Sequence, residues 1–350
     1  MLKEKYDRKD LQQIFKNKIQ IYLNSNFDYL KKPKCLKIIR YNKRIQNKLE
    51  KNLSDFKNYS EIFSSIIIDI TSNKKPIDKF ININNKKNES FFHVHKKNEK
   101  KNNNNGKYDS TLDIQIKIDH QVETFENLFS DLNYFSKIVF SKFQRINIIN
   151  MKNMFSYCQY LIILDLSNAN TINVIDMCYM FYHCTSLKKI NLSNFNTDNV
   201  KNMRYMFSEC SLLEELNLSD FKIDNVNDMS NMFNGCKSIK TLNISNFNTG
   251  EVTDMSSMFK GCSSLEELNL SNFKTYNVKK MNNMFEGCIS LKKLDLSSFT
   301  TTSLENINSM FSKCSSLKTL KFFTINFNNI SSLNVFSGCP SEIKIINKKN

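Results

Sequence analysis

The chain has 350 residues, a formal net charge of +16 and 40% hydrophobic residues, with no Trp, 6 Gly and 3 Pro. This length suits one large domain or two ordinary ones, and the scarcity of Gly argues against phosphate-binding loops. No apolar run approaches the roughly 20 residues of a membrane-spanning helix, and no apolar signal segment follows the charged N-terminus. The sequence therefore predicts a soluble protein that is cytoplasmic.

The first third of the chain is basic and contains two segments with helical apolar spacing. Residues 1–121 carry 27 of the 50 Lys and Arg and 14 of the 34 Asp and Glu, whereas residues 122–350 carry the remaining 23 and 20. Residues 11–23 and 36–49 place apolar side chains on one helical face, so residues 1–75 are predicted to form a basic helical region. An Ile-Phe pair before a second helix resembles F-box adaptors, although their Leu-Pro opening is missing.

Residues 76–109 are predicted to contain strands and an Asn/Lys-rich loop that together cap the repeats. Residues 91–95 alternate apolar and polar side chains, as a strand does, whereas residues 96–107 have the composition of a loop or linker. The histidines near this loop are His93, His95 and His120. A zinc site needs more ligands than these, so we expect exposed histidines and neither a metal nor another cofactor.

A Met-Phe pair then recurs with a strict period of 26 residues. It occurs at Met154-Phe155, Met180-Phe181, Met206-Phe207, Met232-Phe233, Met258-Phe259, Met284-Phe285 and Met310-Phe311. Leu128-Phe129 is in register before these pairs, and Val335-Phe336 follows them one residue early. Weak terminal copies are expected at the ends of a solenoid. Residues 110–346 are therefore predicted to form a solenoid of about nine turns, with a tail at residues 347–350.

Each repeat combines two periodicities. Met255, Met258, Phe259 and Cys262 have helical spacing, whereas Leu268 and Leu270 alternate with polar residues as in a strand. Gly lies between the two parts at four equivalent positions, where a left-handed residue could end the helix. Those positions are Gly235, Gly261, Gly287 and Gly338. The repeat is therefore predicted to be a short helix, a tight turn, a strand and a return loop.

The consensus MxxMFxxCxxLxxLxLSNFxTxxV resembles the BspA-like leucine-rich repeats in their 26-residue surface-protein form. The resemblance implies an α/β solenoid, a right-handed superhelix with a parallel β-sheet on its concave side. Here a small helical and β N-terminal region would precede it. Relatives of this type are commonly adhesion or host-interaction proteins at the cell surface, which makes the surface an alternative location for this chain.

Equivalent residues of adjacent turns should stack about 4.8 Å apart. One column is predicted to form an internal aromatic spine, interrupted by Ala169: Phe143, Phe195, Phe221, Phe247, Phe273 and Phe299. A second column is predicted to hold buried free thiols, because parallel stacked side chains suit neither a disulfide nor a tetrahedral metal site. It comprises Cys158, Cys184, Cys210, Cys236, Cys262, Cys288, Cys314 and Cys339.

The polar strand positions are the candidate binding surface. Charged residues just before each strand alternate in sign from turn to turn, which favours a cross-strand charge ladder. The middle strand position is mostly Asn, followed two residues later by Ser. From these two columns, the candidate partner-binding residues on the concave face are Lys188, Asn191, Glu214, Asn217, Lys240, Asn243, Glu266, Asn269, Lys292 and Asp295.

The absence of common catalytic motifs, together with the regular repeat, predicts a non-catalytic scaffold that binds another protein. We expect a monomer with a protein partner. Nucleic-acid binding is disfavoured because the strand face is nearly neutral and no dense Arg cluster is present. The alternatives are an F-box-like adaptor with the repeats as its target receptor, and an adhesin-like protein of the cell surface.

Overall fold

The computed structural model describes residues 65–73, 80–82, 91–104, 107–119, 122–300, 302–322 and 330–347, all within the unit Ser64–Asn350. The helices predicted at residues 11–23 and 36–49 lie outside the described residues. Four longer strands come first: β1 Ile66–Ser72, β2 Phe92–Asn104, β3 Lys107–Ile118 and β4 Phe135–Lys142. Seven short strands follow: β5 Ile163–Asp165, β6 Lys189–Asn191, β7 Thr241–Leu242, β8 Glu267–Leu268, β9 Lys293–Asp295, β10 Thr319–Phe322 and β11 Lys344–Asn347.

The first four strands form an antiparallel cap that continues into the solenoid. The sheet order is β2-β3-β1-β4-β5-β6, in which β1 is antiparallel to β3 and β4, whereas β4 is parallel to β5. Alternate residues of β1 are buried at Ile66, Ile68 and Ile70. The solenoid is thus sealed at this end by strands that share its sheet. The strand that carries Leu112 belongs to this antiparallel cap, and the parallel ladder starts at β4.

Two secondary-structure predictions for this region were wrong. Ile66–Ser72, at the end of the region predicted to be helical, is strand β1. The Asn/Lys-rich run predicted to be a loop is strand as far as Asn104. It pairs with β3 along nearly its whole length. This pairing satisfies backbone hydrogen bonds whatever the side chains are, so composition alone does not exclude a strand.

From residue 124 onward the chain forms a β-solenoid of about eight turns. Eight parallel bridges connect one position of each turn to the next, from Thr124↔Asn150 to Asn306↔Ser331. The short strands add a parallel ladder with the same 26-residue step, for example Leu242↔Leu268. Among the described residues, no helix is long and apolar enough to cross a bilayer.

The predicted helix of each repeat is absent from the described residues, and the α/β class was therefore wrong. The segment with helical spacing is a series of tight turns. In the turn around Phe259, alternate N–H groups from Met255 to Gly261 donate to carbonyl oxygens of the next turn at 2.7–2.9 Å. Of the intervening N–H groups, those of Met258 and Lys260 donate to the carbonyl three residues back, whereas that of Ser256 donates to Asp254 Oδ1. Within one repeat the segment is therefore a series of tight turns. Its hydrogen bonds to the next repeat form a ladder like that of a β-sheet.

Two residues of each turn adopt the left-handed conformation that makes this arrangement possible. The first left-handed position is held by Asn127, Asn153, Tyr179, Tyr205, Asn231, Ser257, Asn283, Ser309 and Asn334. The second left-handed position is held by Asp131, Tyr157, His183, Glu209, Gly235, Gly261, Gly287, Lys313 and Gly338. The sequence thus predicted the left-handed Gly positions, but they lie within a chain of turns and do not end a helix.

Stacked columns fill the interior. The Met-Phe phenylalanines form one continuous aromatic column, with neighbouring ring centroids 5.1–5.8 Å apart from Phe129 to Phe336. The predicted spine also forms, with stacked pairs such as Phe195–Phe221 at 6.2 Å and Phe273–Phe299 at 6.3 Å. Parallel rings in successive turns add aromatic contact to apolar burial.

The column of cysteines consists of free thiols, and seven of its eight members are buried. Each thiol also donates to the carbonyl oxygen of the Met-Phe phenylalanine in the preceding turn, as Cys236 Sγ does to Phe207 O at 3.1 Å. Burial raises the pKa of these thiols, to about 12 for Cys184 and Cys262. The predicted free thiols are confirmed, and they have a hydrogen-bonding role beyond apolar packing.

Candidate functional site

The candidate site is a groove on the outward face of strands β7 to β10. It has a volume of about 590 Å³ and crosses four successive turns. We refer to it as the strand-face groove. Its lining residues are Thr241, Leu242, Asn243, Glu267, Leu268, Asn269, Lys293, Leu294, Asp295, Thr319 and Lys321.

The groove follows from the alternation of side chains along each short strand. Residues i and i+2 of a strand point to the same face, so Thr241 and Asn243 both face outward around the inward-pointing Leu242. The same triplet recurs in the next two turns. Two columns of polar side chains therefore form the walls, and the column of leucines between them forms the floor.

One wall is fixed by hydrogen bonds within each turn. Asn269 Oδ1 accepts a hydrogen bond from the Ser271 N–H at 3.0 Å, and Asn243 Oδ1 accepts one from the Ser245 hydroxyl at 2.9 Å. The Asn and the Ser two residues later therefore form an Asx turn within each repeat. Because the oxygen of each Asn amide is engaged in this way, its NH₂ group is the part left to present donors to a ligand.

The charges of the groove are unevenly paired. Lys321 Nζ contacts Asp295 Oδ2 at 2.8 Å, and this bond, with further hydrogen bonds from Ser297, lowers the pKa of Asp295 to about 2. On the opposite wall, Glu267 and Lys293 form no ion pair with any of the described residues. Considering the described residues alone, the groove therefore offers one anion and one cation without an ion-pair partner, in adjacent turns.

All ten candidate residues predicted from the sequence are exposed. Asn243, Asn269 and Asp295 line the strand-face groove, whereas the charged column just before the strands does not. Within the described residues, only one ion pair joins consecutive members of the predicted charge ladder, Lys292 Nζ to Glu266 Oε2 at 3.4 Å.

The remaining wall of the groove belongs to the predicted charge ladder but was not chosen among the candidate binding residues; it consists of Thr241, Glu267, Lys293 and Thr319. Strict alternation assigns a residue two positions before a buried Leu to the face of that Leu, although Lys240 precedes strand β7 and is exposed. The outward neighbours of the Leu are the residues immediately before and after it. Applied strictly, alternation would have selected Glu267 and Lys293 over Glu266 and Lys292.

Metal binding finds no support in the arrangement of the histidines. His93 Nε2 lies 3.1 Å from Asp119 Oδ2, both side chains are partly exposed, and His120 lies outside the described residues. No group of three or more His, Cys, Asp or Glu that could hold a metal ion occurs in the described ranges.

The family comparison matches the repeats and leaves the N-terminal region unmatched. The family described as "Mycoplasma protein of unknown function, DUF285" matches residues 123–242 and 236–346, more than half of the 350 residues. The chain belongs to this family. Its matched residues begin at the first turns of the solenoid and contain the strand-face groove. No curated protein and no solved structure matches the chain.

Proposed function

We propose that this DUF285 protein is a non-catalytic scaffold that binds an extended segment of a partner protein in the strand-face groove. The observation that carries the proposal is the groove itself, which spans four turns and is lined by exposed amide, hydroxyl and charged groups over a leucine floor. Its volume lies in the range of about 300–1,000 Å³ that is typical of ligand sites. Successive turns of a solenoid present such groups at regular intervals, which suits an extended partner.

The test of the proposal uses Glu267 and Lys293, which form no ion pair with any residue in the described ranges. Exchanging them (Glu267→Lys with Lys293→Glu) keeps the net charge and changes only the order of charge along the wall. A partner captured by the full chain and then purified should bind the exchanged variant at least about tenfold more weakly, because each wall charge would then face a like charge.

The matched control is the pair Lys188→Glu with Glu214→Lys. These residues are equally exposed, belong to the predicted charged column and lie outside the strand-face groove. We expect the control to bind as the unmodified chain does. Equal loss in both exchanged variants, or no loss in either, would show that the strand-face groove does not recognise the partner.

We also propose that the repeats are of the BspA-like type and that the protein works in a reducing compartment such as the cytoplasm. The 26-residue consensus supports the first statement, and the nine free cysteines among the described residues support the second. Protease treatment of intact cells tests the location. Complete protection agrees with an interior location, whereas digestion would support the adhesin-like alternative.

A further inference from the structure

Three exposed isoleucines lie close together on two successive return loops of the solenoid, away from the strand-face groove. Ile149, Ile172 and Ile175 are 50%, 44% and 44% exposed. The Ile175 N–H donates to Ile149 O at 2.9 Å, which places these two residues at the same position of adjacent turns. Ile172 precedes Ile175 by three residues in the same return loop. Single exposed apolar residues are normal on a protein surface, whereas exposed apolar residues that adjoin one another are a feature of interaction sites.

The fold itself does not require isoleucine at these positions. The hydrogen bonds between return loops continue in the following turns, where the Lys201 N–H donates to Ile175 O at 2.9 Å and the Asn227 N–H to Lys201 O at 3.0 Å. In the five turns after Ile175, the equivalent residues are all polar: Lys201, Asn227, Thr253, Lys279 and Glu305. Polar side chains therefore serve this backbone ladder equally well, and the ladder does not explain the isoleucines.

A charge of opposite sign lies at each end of the two stacked isoleucines. The Ile149 N–H donates to Glu123 O at 3.2 Å, so Glu123 precedes Ile149 in the stack as Lys201 follows Ile175. We define the return-loop column as Glu123, Ile149, Ile175 and Lys201. Both charged side chains are exposed, and neither forms an ion pair with a residue that the structure describes. Successive members lie about 4.8 Å apart, so the two charges are separated by roughly 14 Å.

We propose that the return-loop column is the contact surface of a homodimer in which two copies pack face to face with antiparallel solenoid axes. The twofold axis would lie in the contact plane, at right angles to the solenoid axis and midway between Ile149 and Ile175. This axis reverses the order of the column in the second copy. Glu123 then faces the partner's Lys201, and Ile149 faces the partner's Ile175. Each of these contacts occurs twice, as in any isologous interface, and the dimer replaces the monomer expected from the sequence.

The order of the charges selects this arrangement over a parallel one. If the twofold axis ran along the solenoid axis, Glu123 would approach the partner's Glu123, and Lys201 would approach the partner's Lys201. Like charges set against each other disfavour such a contact. The column three residues farther along the chain has the same order of charge, with Glu126 in the turn of Glu123 and Arg204 in the turn of Lys201. The antiparallel arrangement therefore places opposite charges at corresponding heights there as well.

A neighbouring column extends the apolar part of the contact. Ile146 and Ile172 precede Ile149 and Ile175 by three residues, and Ile146 is half-buried. The same twofold axis sets Ile172 against the partner's Ile146. The proposed interface thus has an apolar centre with charged residues at its edges, which is the usual anatomy of a protein interface. Because the column is complementary to its own reverse, a second copy of this chain satisfies both its apolar and its charged members.

The test measures the mass of the full chain by sedimentation velocity. A contact with so few apolar residues is small, so a weak dimer is expected and protein concentrations from about 5 to about 200 µM are needed. We expect monomers at the lowest concentration and dimers at the highest. Ile149→Thr copies Thr253 and Ile175→Asn copies Asn227, so both variants should keep the urea midpoint of the unmodified chain. Each should weaken the dimer at least about tenfold, because the apolar contact that it removes occurs twice.

Charge reversals test the antiparallel arrangement directly. Lys201→Glu alone, or Glu123→Lys alone, sets like charges against each other at two symmetry-related contacts and should weaken the dimer at least about tenfold. The double variant, Glu123→Lys with Lys201→Glu, restores opposite charges at both contacts and should regain most of the lost affinity. A parallel dimer would respond to none of these reversals, and that result would overturn the proposed arrangement.

A matched isoleucine outside the column completes the design. Ile163 is exposed but lies in strand β5, and its position is Lys189 in β6, so Ile163→Lys should dimerise as the unmodified chain does. The charge-exchanged groove variant should also dimerise normally, which separates this inference from the proposed function. A species of monomer mass at every concentration, or a dimer that the isoleucine variants leave unchanged, would overturn the proposal.

Discussion

The left-handed residues are the local feature that makes this fold possible. Two left-handed residues in each turn bend the chain so that alternate N–H groups point to the next turn. For any residue with a Cβ, the left-handed conformation costs roughly 1–2 kcal/mol. Only four of the nine second left-handed positions are Gly. The continuous hydrogen-bond ladder between the turns therefore requires several residues with a side chain to adopt the unfavourable left-handed conformation.

Replacing a left-handed Gly should cost stability through its backbone conformation alone. A Cβ on Gly261 would meet the Gly235 backbone at 3.7 Å, an ordinary contact, whereas its φ is +70°. We expect Gly261→Ala to lower the free energy of unfolding by about 1–2 kcal/mol. Ser257→Gly, which relieves the same conformation, should raise it by about 0.5 kcal/mol, after allowing for the greater freedom of Gly in the unfolded chain. Urea denaturation measures both.

Gly250→Ala is the matched control for this experiment. Gly250 lacks a positive φ, and the one close approach of an added Cβ would be 2.6 Å to the hydroxyl at the end of the flexible Tyr276 side chain, which can move aside. Its position is Asp224 in the preceding turn, so a side chain is tolerated there. We expect little change in stability. A loss equal to that of Gly261→Ala would mean that crowding, and not left-handed backbone, limits these positions.

At the scale of the element, buried threonines link the return loops of consecutive turns. Thr249 Oγ1 donates to Lys274 O and accepts from Lys274 N–H, both at 2.8 Å. Thr171, Thr197 and Thr275 make the same pair of bonds one turn on. Each threonine hydroxyl thus satisfies one N–H and one C=O group of the next turn. In a β-sheet a neighbouring strand would supply these hydrogen bonds, but the return loop is too irregular to form a strand.

Removing such a threonine bridge should leave two backbone groups without partners. We expect Thr249→Val to lower the free energy of unfolding by ~2 kcal/mol, because the Lys274 N–H and C=O lose their bonds in a partly buried place. Hydrogen exchange should show faster exchange at Lys274. Thr253→Val is the control, since Thr253 is exposed and should change stability by less than about 0.5 kcal/mol. Equal effects would argue against a special role for the bridge.

The elements also show why helices were predicted where none formed. Spacing at i, i+3, i+4 and i+7 indicates a helix because such residues share one helical face. Consecutive tight turns with bonds three residues back produce the same spacing, as in the segment from Met255 to Cys262. A helix and this series of tight turns would both bury all four apolar residues, so burial does not distinguish between them. The deciding factor is the set of bonds to the next turn, which no single repeat contains.

The repeat period, by contrast, predicted the stacked columns of the interior. The buried Phe and Cys columns and the parallel strands follow from equivalence between turns, and all are present. The strand-face groove was predicted in part, because the Asn column was chosen among the candidate binding residues and the column before the Leu floor was not.

At the scale of the whole molecule, the thiol column links stability to pH. Seven buried cysteines, from Cys158 to Cys314, each donate a hydrogen bond to a carbonyl oxygen. Ionisation of a thiol would break this hydrogen bond and leave a thiolate anion in an apolar interior. Burial raises their pKa values, to about 12 for Cys184, Cys262 and Cys314. In the unfolded chain the same thiols ionise near pH 8.5. The column therefore favours the folded state only while its thiols stay protonated.

The expected result is a steep loss of stability at alkaline pH. Below about pH 7.5 both states hold the protons, so this contribution is fully present. As the pH rises towards 12, only the unfolded state releases them, and each thiol then lowers the free energy of unfolding by ~1.4 kcal/mol per pH unit. Urea midpoints measured at pH 7.5, 8.5 and 9.5 should fall moderately between the first two values and sharply between the last two.

A double variant, Cys210→Ala with Cys236→Ala, identifies the groups responsible. It should be less stable at pH 7.5, through lost packing and two lost hydrogen bonds, yet its midpoint should fall less between pH 8.5 and 9.5 because two titrating thiols are gone. In the unmodified native chain, a thiol reagent at pH 8 should react with half-buried Cys339 well before the seven buried thiols. An equal fall in both proteins would assign the alkaline transition to other groups, and rapid native-state reaction of the buried column would contradict the protection on which the prediction rests.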